Sequence, residues 1–161
     1  MAKHKNVQVK SDLCEAFANA KSEVESLQEE MQEWLDKMEE NEGLSATSKH
    51  DEVSDCVDSL TSVMDNFSEA ECTVDEEWFV EKFKDVQIEY TEMVPYKGRG
   101  MPRWMRASNA ATALDAVRDK LDEAEKELKE DDPKKDEINT LIAAIDNVKS
   151  DLEGVDFPGM F

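Results

Sequence analysis

The stretch Ser11 to Asn41, SDLCEAFANAKSEVESLQEEMQEWLDKMEEN, decides how this chain is read. Its apolar residues recur at alternating intervals of four and three: Leu13, Phe17, Ala20, Val24, Leu27, Met31, Trp34 and Met38. That period puts them on one seam of a long helix and leaves the other faces to Glu, Asp, Ser, Gln and Lys. A helix of about 30 residues, roughly 45 Å long, with a single apolar seam is stable only when partner helices cover that seam. Ser11 is the expected N-cap, with Asp12 in the first turn where the helix dipole favours a carboxylate. Gly43 is the expected left-handed terminator. Residues 1–10 form a polar lead-in in which Val7 and Val9 make at most an extended start.

The rest of the chain supplies the cover. Ser48 and Asp51 resemble a capping box opening a second helix, with a wider stripe of Val53, Cys56 or Val57, Leu60, Val63 or Met64, and Phe67. Ser68 to Cys72 is expected to break that helix, and Thr73 with Glu76 to cap a third one before Trp78. Phe79, Phe83, Val86, Tyr90 and Met93 continue the helical spacing, but Val86, Ile88 and Tyr90 also alternate. Residues 86–94 are therefore alternatively a short extended segment.

A fourth helix starts at Pro102 or is capped later by Ser108, with the seam Ala107, Ala110, Leu114, Val117, Leu121, Ala124 and Leu128. Its alanines permit close approach of another helix. Asp131, Asp132 and Pro133 open the last helix, which carries Ile138, Leu141, Ile145, Val148 and Leu152 and stops at Gly154. The expected architecture is all-α: a single domain over residues 1–161, built as a five-helix bundle of two antiparallel, coiled-coil-like hairpins bridged by the third helix.

Composition limits the function classes. The formal charge is −21 and charged residues make up 37% of the 161-residue chain. Such acidity disfavours direct binding to nucleic-acid backbones and anionic lipid and attracts basic partners. Cys14, Cys56 and Cys72 are odd in number and widely spaced, and two of them sit in helices near apolar positions, which suits small core residues in a reducing compartment rather than a disulfide framework or a zinc site. Lys3, Lys5 and Lys10 are not followed by an apolar run of signal-peptide length, and no run approaches the 18 or so apolar residues of a membrane span. The expected location is the cytoplasm, and no membrane association or cofactor is expected.

One segment departs from the general composition. Between Glu92 and Asp115 there is no acidic residue, while Lys97, Arg99, Arg103 and Arg106 accumulate beside Tyr96 and Trp104. Gly98, Gly100, Pro95 and Pro102 mark 94–107 as a basic loop. Arginines beside aromatics suit single-stranded nucleic acid, but four cations do not overcome the repulsion from the rest of the chain. The preferred reading is that they dock on the protein's own acidic helices, the alternative that they bind a partner.

The acidic faces are the other candidate. Glu23, Glu29, Glu30, Glu33, Asp36 and Glu40 lie along the first helix with only Lys21 and Lys37 to offset them, although exposed helix faces normally carry both signs. Carboxylates so spaced are expected to meet a basic, nucleic-acid-handling protein in the manner of a DNA mimic. The C-terminal tail at 155–161, VDFPGMF, is expected to fold back and plug the end of the bundle, because Phe157, Met160 and Phe161 each gain roughly 1.5 to 3 kcal/mol from burial.

No Gly-x-Ser-x-Gly or phosphate-cradling loop is present, and neither His4 nor His50 is placed as a catalytic base. Glu30-x-x-Glu33 followed by Glu52-x-x-Asp55 resembles the carboxylate pattern of MazG-type nucleotide pyrophosphohydrolases. That resemblance implies, as an alternative, a magnesium site formed by Glu30, Glu33, Glu52 and Asp55 on an antiparallel helix pair. Over most of the chain, EMQEWLDKMEENE, PRWMRASNAATALDA and VDFPGMF together resemble small acidic uncharacterised proteins of tailed bacteriophages. This second resemblance implies a phage origin and a host-cytoplasm setting. The sequence is accordingly read as a non-enzymatic acidic binding protein, a monomer or small homo-oligomer, acting as an inhibitor of a host protein. A virion or assembly component is the further alternative.

Overall fold

The computed structural model describes residues 4–45, 47–96 and 100–158, and there the chain is mostly helical with one two-stranded antiparallel sheet. A strand β1 (His4–Asp12) leads into helix α1 (Leu13–Glu39), followed by the single turn α2 (Glu42–Ser45) and helix α3 (Ser48–Val74). A short helix α4 (Glu77–Phe83) and strand β2 (Gln87–Pro95) precede the last two long helices, α5 (Arg103–Glu127) and α6 (Pro133–Glu153).

The four long helices pack in a ring, α1 against α3 and α5, and α6 against the same two. Cross-helix bonds fix their directions. Glu39 meets His50, Gln28 meets Thr61 and Lys21 meets Glu71, so α1 and α3 are antiparallel. Asp115 with Lys149 and Arg118 with Asp146 show the same for α5 and α6. The expected seams fill the core: Leu13, Phe17, Val24, Leu27 and Met31 of α1 face Phe67 and Leu60 of α3, Leu114 and Leu121 of α5, and Ile138 and Ile145 of α6. Phe17 meets Phe67 edge-on, with ring centroids 5.7 Å apart.

Several local expectations are corrected. The side chain of Asp12, not Ser11, accepts the capping bond from Glu15 N at 2.8 Å, and Thr47, not Ser48, caps α3 through His50 N at 3.2 Å. The helix expected to break at Ser68–Cys72 runs on to Val74. Ala70 and Val74 continue the buried stripe past Phe67, and the Ser68 hydroxyl and Cys72 thiol bond carbonyls one turn back. Thr73 therefore caps nothing, and Glu76 precedes α4 without a side-chain cap. Neither Gly43 nor Gly154 is left-handed; α1 closes at Glu40 and α6 at Gly154, both in right-handed helical geometry. Leu35 is buried where Trp34 was expected in the seam, and Trp34 lies half-buried on the flank.

Of the two readings of residues 86–94 the extended one holds: the third helix stops after two turns at Phe83, and the chain is mostly helical with a two-stranded sheet. Alternation prevails beyond Phe83 because residues 4–12 offer a strand partner. The ladder runs from His4 opposite Pro95 to Asp12 opposite Gln87, and Leu13 N donates to Val86 O at 2.8 Å. Ile88 and Tyr90 are thereby buried while Gln87, Glu89 and Thr91 face solvent. On the far edge of β2, the buried side chain of Asn109 donates to Met93 O and accepts from Met93 N, both at 2.8 Å. This amide makes the two bonds that a neighbouring strand residue would make.

Val155 is buried and Phe157 packs against the core, so the described part of the tail is docked. Met160 and Phe161 lie outside the described residues. Among the described residues no helix is long and apolar enough to cross a membrane.

Removing the Asn109 amide strands two backbone groups in a covered position. Asn109→Ala is expected to lower unfolding free energy by about 2 kcal/mol in urea titration and to speed hydrogen exchange at the Met93 amide selectively.

Candidate functional site

Charge is not evenly spread over the helices. α1 and α3 together hold fifteen carboxylates against three lysines, whereas α5 and α6 hold eleven against eight lysines and arginines. On α1, Glu25, Glu29, Glu33, Asp36 and Glu40 are all exposed, and their spacing sets them along the side facing away from the seam. On the neighbouring α3, Asp51, Asp55, Asp58, Asp65 and Glu69 do the same. The α1 row is about 22 Å long and the α3 row about 27 Å, at the rise of an α-helix. Along their shared border the chain places Lys21 with Glu71 and Gln28 with Thr61. Among the described residues Glu33 is offset only by the exposed Lys37 one turn on, at 3.1 Å, and Glu29 and Glu40 make no ion pair.

Glu23 and Glu30 belong elsewhere. They sit on the flank of α1 that meets the start of α5, where Arg106 bonds Glu30 through Nη1 at 3.0 Å and Nη2 at 2.8 Å, and reaches Glu23 through Nε. Arg103 adds a bond to Glu30 at 3.3 Å, and its guanidinium lies 5.7 Å from the centre of the Trp34 ring. The hydrogen bonds from Arg106 hold the Glu30 carboxyl below its ordinary value, against the opposing effect of partial burial. The expected 94–107 loop is shorter, since β2 runs to Pro95 and α5 starts at Arg103, and two of its four cations are therefore engaged within the protein from the first turn of α5. The other two, Lys97 and Arg99, lie outside the described residues. Tyr96 and Trp104 are both exposed, Trp104 by 51%.

The four carboxylates of the magnesium alternative do not converge. Glu30 is held by the two arginines, Glu33 by Lys37 and Glu52 by Lys49, while Asp55 and Glu52 line a separate cleft beside Asp156 and Phe157. Among the described residues no group of three His, Cys, Asp or Glu side chains is placed to hold a metal ion. Glu30 is drawn to the arginines at the start of α5, Glu33 is turned to solvent beside Lys37, and Glu52 and Asp55 border the cleft beside Asp156 and Phe157, so the two pairs do not share a centre. His50 bridges helix ends, with Nε2 3.3 Å from Glu39, and the buried thiol of Cys56 is pushed up to about 11 by burial, so it stays protonated at neutral pH.

No protein-family model matches the chain, and neither a curated protein nor a solved structure matches it.

The Arg106 cluster has a defined pH signature. Because the folded-state value of Glu30 is depressed, its contribution to stability is present above the unfolded-state carboxyl value and is lost as pH falls through the folded one. Arg106→Ala is expected to destabilise by about 1 kcal/mol at neutral pH. Its stability difference from the parent is expected to shrink in urea titrations below pH 4.

Proposed function

We propose that this chain is a non-enzymatic binding protein whose paired α1 and α3 rows engage a basic, nucleic-acid-handling protein at the surface that otherwise holds a polyanion. The observation that carries this reading is the asymmetry of charge: fifteen carboxylates against three lysines on α1 and α3, beside a nearly balanced α5 and α6. Glu25, Glu29, Asp36 and Glu40 on one helix and Asp55, Asp58, Asp65 and Glu69 on the other are the contact residues. This set replaces Glu23 and Glu30, whose charge the arginines of α5 offset.

Two physical arguments support it. Rows of one sign on a helical framework cost the fold self-repulsion that mixed surfaces avoid, and they raise the association rate of an oppositely charged protein. Nucleic acid is the wrong partner for the same reason. On the resemblance to acidic phage proteins, the setting is the host cytoplasm and the partner a host protein, with this chain as its inhibitor.

The test is binding to host lysate proteins at two salt concentrations, with duplex DNA as competitor. Capture is expected to fall roughly tenfold or more between 50 and 300 mM salt, to be displaced by DNA, and to be lost when Glu29, Asp36, Asp58 and Asp65 are changed to Lys. The same number of reversals at Asp136, Glu137, Glu153 and Glu127 is expected to leave it in place. A complex indifferent to salt, or one lost equally in both variants, overturns the reading.

A further inference from the structure

The two edges of β2 are treated differently by the fold. One edge is paired with β1 throughout, and bonding alternates along such a ladder. Since Val86 O accepts from Leu13 N and Met93 turns its N–H and C=O to Asn109, the odd-numbered residues of β2 direct their backbone groups away from β1. At the upper end that outer edge is closed twice: Pro95 has no N–H to offer, and Asn109 occupies both groups of Met93. At the lower end, Gln87, Glu89 and Thr91 have no such cover among the described residues.

Beside this open part runs a cleft of about 800 Å³ between the strand and one flank of α5. Its apolar floor is Ile88, Tyr90 and Ala116, and its walls carry Glu89, Asp115, Asp119 and Glu123 against Lys10 and Lys120. The outer face of the sheet is already ordered here, because Thr91 donates to Gln8 and Gln8 to Glu89 across the strands. An unpaired strand edge is a template for another strand, and folds that do not use such an edge normally cover or blunt it along its length.

We propose that the lower edge of β2, at Gln87, Glu89 and Thr91, receives an extended peptide of alternating apolar and basic residues as a third strand. The main chain of the peptide pairs with Glu89 and Thr91; its apolar side chains meet Ala116 and Ile88, and its basic ones meet Glu89 and Asp119. The occupant is chosen by charge: with Asp115 and Glu123 paired to Lys149 and Lys120, the walls keep Glu89 and Asp119 against Lys10 alone. This site is separate from the α1 and α3 rows, so its failure and theirs are told apart by the variants that affect each.

The probe is the synthetic peptide acetyl-KVKVKVK-amide, titrated against the whole chain by heteronuclear NMR, with the Glu-for-Lys peptide and an N-methylated version as controls. Binding is expected to protect the Glu89 and Thr91 amides from exchange and to weaken about tenfold on N-methylation of alternate residues, which removes the donors to the edge. Thr91→Pro, which deletes an N–H that the β1 ladder does not use, is expected to weaken binding to the same extent. The quadruple reversal on α1 and α3 is expected to leave it unchanged. N-methylation tests the ladder even should Thr91→Pro fail to fold. Equal binding of parent and N-methylated peptides, equal binding of the Glu peptide, or a dimer of this chain that Thr91→Pro dissolves, each overturns the proposal.

Discussion

The structure depends on one topological constraint. α3 and α5 both run antiparallel to α1, so the chain must travel back along the length of the ring between them. A helix of two turns and a strand of nine residues accomplish this, the strand alone covering about 30 Å. A single strand laid against helices would leave backbone groups unpaired on both sides. β1 satisfies one side, and Asn109 satisfies part of the other. The basic loop then follows because the chain must turn sharply into α5, and Arg103 and Arg106 in its first turn fall opposite Glu23 and Glu30.

That placement bears directly on the charge of the surface. Most of the cations of the ring lie on α5 and α6, where Lys149, Arg118, Lys120 and Lys126 find Asp115, Asp146, Glu123 and Asp122. The two arginines that α5 directs across the ring reach only the inner flank of α1. Among the described residues, only Lys37, beside Glu33, offsets the outer sides of α1 and α3, where the surplus carboxylates collect. The same packing that secures α1 to α5 therefore leaves the outer sides of α1 and α3 with an excess of carboxylates.

Much of the helical framework was legible in the sequence, because apolar spacing records which side of a helix is covered. The stripes Val24, Leu27, Met31 and Ile138, Leu141, Ile145, Val148 are buried as their periods require. What spacing does not record is the identity of the cover. Val86, Ile88 and Tyr90 suit either a helix or a strand, and only the distant residues 4–12 decide between them. Trp34 fits the seam by interval, yet Leu35 takes the core and Trp34 serves as a platform for Arg103. Ser68 and Gly43 look like helix stops, but a terminator acts only where burial on the next turn is absent. For Ser68, Ala70 and Val74 supply that burial.

The candidate surface was legible in the same partial way. The excess of acid on the first helix is a property of the sequence, but which carboxylates stay free depends on pairs such as Arg106 with Glu30, separated by 76 residues. Asn109 had no sequence signal of its own within a run of alanines, since an amide there suits an exposed helix position equally well. Its role emerges only when the backbone of Met93 is brought opposite it. An amide that imitates a strand for one residue and then ends leaves the remainder of the edge defined by what is missing. That remainder faces α5 across a cleft with an apolar floor, on the side of β2 that β1 does not reach.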